Sequence, residues 1–195
     1  MIELSLNEVE LQAAKAARGA GLSWGAAEDV GRAARWLARY GLDWAPALLA
    51  LLDDPDAGSF VARICRLVDE GEMRGPAILS GRPLWMAALL AADIPPEGWQ
   101  LDWQSAAQQR ASLHLGPLDT LSRSGTPLPS GWTEGQAVTI STGGEPLAVR
   151  LPPASRSVVA HGAWVAIGEL ARKTYVPASA RSRASGAGAS LTDND

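Results

Sequence analysis

The side chains best placed for chemistry lie at the far end of the chain, in "TYVPASARSRASGAGASLTDND". Arg181 and Arg183 precede a glycine-containing turn, and Asp193 and Asp195 follow it. Guanidinium forks match carboxylate or phosphate groups, and a carboxylate in a closed site can move a proton. These four residues form a candidate site for an anionic substrate, with Asp193 as acid or base. The plain alternative is a set of solvated charges on an Ala/Ser/Gly-rich terminus, a composition that favours disorder. Against it, Tyr175-Val176-Pro177 offers an apolar anchor and a rigid exit. Gly186 and Gly188 allow close backbone approach, and Leu191 offers one more apolar contact. This pattern predicts that the tail, residues 177–195, docks on the body or on a partner. Arg82 or Arg123 would then meet Asp193 and Asp195.

Other reactive side chains are few. Cys65 is the single cysteine, so no intrachain disulfide can form. It sits in "FVARICRLV" at helical spacing among apolar residues, the setting of a buried and inert thiol. His114 and His161 lack ligand spacing, and one cysteine cannot build a structural zinc site, so no metal centre is expected. His114 falls on the polar side of a strand pattern and reads as solvated; His161 falls near a helix start. No phosphate-cradling loop or dinucleotide fingerprint occurs, and nothing names a cofactor.

Helices must position most of this. Ser5 and Glu8 form a capping box ahead of a helix from about Leu6 to Arg18. Gly19 and Gly21 end it. Ser23 caps a second helix in which Trp24, Ala27, Val30, Ala34 and Leu37 recur at helical steps, and Gly41 closes it. Their many small residues let the two helices approach closely, with Trp24 and Trp36 filling the space left. Arg32, Arg35 and Arg39 give this hairpin the outline of a DNA-binding helix-turn-helix. Residues 1–40 hold five basic and five acidic residues, however, and Glu28 and Asp29 would face the phosphates. An ordinary helical hairpin fits better.

Three more helices follow, in "DWAPALLALLDDPD", "SFVARICRLVDEG" and "GRPLWMAALLAAD", the last with Pro83 in its first turn. Beyond Pro95-Pro96 the pattern alternates: Trp99, Leu101 and Trp103, then Ala111, Leu113 and Leu115. "AVTIS-TGGEP-LAVRL" suggests a hairpin closed around Gly143-Gly144. A last helix is expected from about Arg156 to Thr174, with Trp164, Ile167 and Leu170 inward and Pro177 as its stop. Helices, then a small antiparallel sheet, then one helix make an α+β fold. Residues 1–176 read as one globular domain, with 177–195 as its tail.

Composition agrees with a folded chain. Of 195 residues, 47% are apolar and 19% charged, enough to build a core. A formal net charge of −4 argues against bulk affinity for nucleic acid or anionic membrane. The acidic start lacks a secretory h-region, and "PLWMAALLAADI" is too short to span a bilayer. A cytoplasmic protein is expected.

"SLNEVE…AARGAGLSWGAAEDVGRAARWL" at the start and "KTYVPASARSRASGAGASLTDND" at the end resemble the bacterial family of unknown function numbered 3726. Ala189-Ser190 stand where members commonly carry a second glycine. The resemblance implies no reaction, cofactor or catalytic residue. With eight tryptophans and a tail suited to docking, the leading expectation is an accessory or binding subunit acting with a metabolic enzyme. Its partners would be that enzyme or a second copy of the chain. The alternative is a small-molecule enzyme acting on an anionic substrate at the tail site.

Overall fold

The structure, a computed structural model, describes residues 1–70, 75–104, 110–118, 120–124 and 137–174. Strand β1 (Ile2–Ser5) leads into helices α1 (Leu6–Gly19), α2 (Trp24–Arg39), α3 (Trp44–Leu52) and α4 (Ala57–Glu70). Strand β2 (Ala77–Ser80) and helix α5 (Pro83–Leu90) follow. Then come β3 (Trp99–Gln104), β4 (Arg110–Gly116), β5 (Thr120–Ser124), β6 (Ala137–Thr142), β7 (Val149–Leu151) and β8 (Arg156–Val159). Helix α6 (His161–Arg172) comes last. The fold is α+β.

The first two helices begin and end for local reasons. Ser5 Oγ accepts the Glu8 N–H, and Glu8 Oε2 accepts the Ser5 N–H at 2.7 Å. The Ser5 N–H and hydroxyl hold the Glu8 carboxyl below the usual range. Ser23 Oγ accepts the Ala26 N–H at the start of α2. Both helices close with paired bonds around a left-handed glycine. Gly21 donates to the Arg18 carbonyl and Leu22 to that of Ala17; Gly41 donates to Ala38 and Leu42 to Leu37. The glycine φ values are 103° and 65°.

Small residues let α1 and α2 pack closely. Ala13, Ala16, Ala17, Ala27 and Ala34 are buried. A Cβ on Gly31 would stand 2.8 Å from the Glu10 carbonyl oxygen and 2.9 Å from the Ala14 Cβ. Trp24 corrects the expected phase: it is 69% exposed, with the Arg18 guanidinium stacked on its ring at 4.8 Å. As the first residue of α2, it points off the end of the helix pair. Helix α5 is buried along its whole length and packs against α2, α4 and β3. Trp85 Nε1 donates to the Ala47 carbonyl at 3.0 Å, which satisfies its polar edge inside the core.

Two antiparallel sheets form, one of β1 and β8 and one of six strands in the order β2-β6-β3-β4-β5-β7. Trp99, Leu101 and Trp103 of β3 pair with Leu115, Leu113 and Ala111 of β4 on the buried face. The expected hairpin around Gly143-Gly144 does not form: β6 pairs with β2 and β3, and β7 pairs with β5. The connection at residues 143–148 instead crosses from one side of the sheet to the other. Gly143 donates to the Gly98 carbonyl at 3.0 Å, and the Leu147 N–H donates to Ser122 Oγ at 2.8 Å.

That crossing overturns the reading of His114 as solvated. The residue does lie on the polar face, between Gln100 and Ser122 on the neighbouring strands, yet it is only 4% exposed. A Cβ on Gly144 would stand 3.2 Å from the imidazole Cδ2 and 2.9 Å from Gln100 Oε1. Glycine is what lets the crossing chain lie on the ring. A second correction concerns residues 156–159, expected as helix. They form β8, with Ile2 opposite Val159 and Ser5 opposite Arg156, and α6 starts only at His161. The β-branched pair Val158-Val159 suits a strand and finds its partner at the other end of the sequence. Ile167 is buried, while Trp164 and Leu170 are half-buried against the core.

Candidate functional site

Arg181, Arg183, Asp193 and Asp195 lie outside the described residues, as do Tyr175 and Pro177. Of the basic groups expected to meet the tail, Arg82 is bonded to Asp54 at 3.1 Å. Asp54 also accepts the Asp56 N–H, and the two contacts hold its carboxyl below the usual range. Arg123 is likewise engaged.

The structure brings a different set of residues together. A cleft of about 720 Å³ opens where α2, α4 and α5 meet, beside the first half of α1. Helix α2 supplies Arg32, Arg35 and Arg39, at steps of three and four, so that all three guanidinium groups share one helix face. Arg32 pairs with Asp29 on the same helix, and Arg35 Nη1 reaches Glu10 of α1 at 2.8 Å. Trp36, Ala33, Val68 and Leu89 line the cleft between the charges. Asp69, in the last turn of α4, and Asp93, just beyond the end of α5, also line it. The side chains of Asp69 and Asp93 make no hydrogen bond or ion pair to another described residue.

Cys65 also lines the cleft and is half-buried, more open than its apolar neighbours suggest. Its Sγ lies 3.5 Å from Asp29 Oδ2. Burial, and then the negative charge of Asp29, push the thiol up to about 12. A thiol held protonated in this way is a weak nucleophile, which agrees with the reading of Cys65 as inert. Among the described residues no cluster of His, Cys, Asp and Glu is arranged to hold a metal ion. None of their helices is long and apolar enough to cross a membrane. What the cleft offers is a surface of mixed charge, with Arg32 and Arg35 beside the carboxylates that they pair with, Asp69 and Asp93 also in its lining, and a tryptophan ring among them.

The arginine row is visible in the sequence, but its setting is not. Read alone it suggests a DNA-facing helix; in the fold it faces α4 and α5. Asp69 and Asp93 come from two different helix ends, so spacing in the chain cannot show that they line one cleft. Residues 4–76 match the family model described as "Protein of unknown function (DUF3726)". This bears out the resemblance read from the first helices. The matched stretch covers α1 to α4 and therefore every wall of the cleft except that of α5. No curated protein and no solved structure matches the chain.

Proposed function

We propose that this chain is a binding protein, an accessory subunit that acts with a metabolic enzyme, and that the cleft between α2, α4 and α5 is its recognition site. The observation that carries this reading is the cleft itself. It joins an arginine row, two carboxylates without described partners and a tryptophan around a volume of about 720 Å³. Arginine and tryptophan are the side chains that most often anchor recognition surfaces. Its one thiol is held in the form that does not attack.

The test uses the full chain, tagged in its native host, beside an Ala92→Trp variant. Ala92 is exposed on the cleft wall, just past the end of α5, so a large ring there obstructs the cleft without entering the core. Wild type should co-purify with a metabolic enzyme at low salt. The variant should lose that enzyme while melting at the same temperature. A wild-type protein that purifies alone and monomeric, or a variant that retains the enzyme in full, would sink the reading.

A further inference from the structure

The segment that crosses the six-stranded sheet covers a side chain that has nothing to bond to. His114 is 4% exposed, and its Nε2 has no hydrogen-bond partner among the described residues. Three glycines close round the ring. A Cβ on Gly98 would stand 3.0 Å from Nε2, one on Gly116 3.1 Å from Cε1, and one on Gly144 3.2 Å from Cδ2. An imidazole buried in this way has given up its hydrogen bond to water at Nε2 and gained none there, a standing cost to the closed arrangement. The ends of the covering segment are held by the Gly143 bond to the Gly98 carbonyl and the Leu147 bond to Ser122 Oγ. Gly144, Glu145 and Pro146 between them are exposed.

Charged groups surround the ring without bonding to it. On its own face of the sheet are Asp102 of β3, opposite Ser112, and Arg150 of β7, opposite Ser122. Asp102 already accepts from Ser112 and Gln100. Glu145 lies on the crossing segment and Glu97 beside Gly98, both exposed. Arg123 is in register with Leu113, on the other face, and Asp119, between β4 and β5, lies outside the described residues.

We infer that residues 143–148 are a pH-sensitive strap, closed over neutral His114 and released when the ring takes up a second proton. An imidazolium donates from both nitrogens, and the closed strap leaves Nε2 against Gly98 with no acceptor. Opening gives the charged ring water and sets it among Asp102, Glu97 and Glu145, which outnumber Arg150. The open state therefore holds the proton better than the closed one, so falling pH favours opening. Release uncovers Gln100, His114 and Ser122 as one row across β3, β4 and β5. This device does not depend on the cleft.

Nuclear magnetic resonance on the full-length protein tests it, because the chain has only two histidines and the other, His161, is exposed. Exchange at the Leu147 N–H is divided by that of amides in the middle of β3 and β4 at the same pH, which removes the intrinsic effect of pH on exchange. The ratio should rise at least about tenfold between about pH 8 and pH 5, the range in which imidazoles change charge. It should do so over the same interval as the His114 ring signal. His114→Gln should abolish the response, and His161→Gln should leave it. A ring that takes up its proton while Leu147 stays protected overturns the inference, whether or not the His114→Gln protein folds. So does a ratio that stays flat to pH 5, or a response that persists in folded His114→Gln.

Discussion

At the scale of single residues, the setting of a group decides what it does more than its type. Cys65 is a thiol in a cleft, yet its environment keeps the proton on it. With the thiol raised from 9.0 to about 12, its reaction with a neutral thiol reagent near pH 8 should run about a thousandfold slower than that of an ordinary cysteine. A rate close to that of a free thiol would show that Asp29 and burial do not hold the proton. The sign for stability follows from the same shift. The folded state keeps the proton longer than the unfolded chain does, so the contribution is complete below pH 9 and lost as pH rises from 9 toward 12. Cys65→Ala should therefore flatten the alkaline decline of the urea midpoint. Leu118 is the other residue whose conformation its type does not explain. It is 97% exposed, with φ at 57°. Leucine in the left-handed region is strained and here buries nothing. Leu118→Gly should raise stability by up to about 1 kcal/mol, read from the urea midpoint, and a loss would show that the side chain has a contact of its own. The Cys65 environment was half legible: helical spacing showed the apolar neighbours, but Asp29 lies on a different helix.

At the scale of elements, close approach and crossing chains set the tolerances. Ala34 of α2 is fully buried. Ala34→Trp should cost roughly 1–3 kcal/mol or more, because a backbone spacing fixed by alanine and glycine leaves no room for an indole. An unchanged thermal midpoint would contradict that packing. Gly144 is a comparable point in the six-stranded sheet, since φ of 116° and the nearby Gln100 and His114 exclude a branched side chain. Gly144→Val should lift the crossing segment and expose His114, with a loss of roughly 1–3 kcal/mol and faster hydrogen–deuterium exchange at the Leu147 N–H. The boundaries of α1 and α2 were readable because caps are local: Ser5, Glu8, Ser23, Gly21 and Gly41 each do what their type and position predict, whereas α6, without a side-chain cap, starts later than expected. Strand partners were not. Alternation in "AVTIS" and "LAVRL" shows that both segments are extended, but a turn-like Gly143-Gly144 between them cannot tell a hairpin from a crossing of the sheet.

At the scale of the whole molecule, distant parts of the chain depend on one another. The cleft needs residues from Glu10 to Asp93, which is why no single motif revealed it. The two-stranded sheet reaches further, since Ile2 lies opposite Val159 and α1 packs against α6. Contacts of such sequence separation form late, because the intervening chain must first be ordered. During synthesis the first strand therefore emerges from the ribosome long before its partner exists. A nascent chain stalled after Ala154 should leave the amides of Ile2 to Leu4 unprotected against exchange, while the released protein protects those that bond to β8. Protection in the stalled chain would mean that β1 has found another partner. Until β8 appears, β1 is an unpaired edge of the kind that other chains can join. Crowded polysomes, rather than the finished protein, are where this fold is most exposed to mispairing.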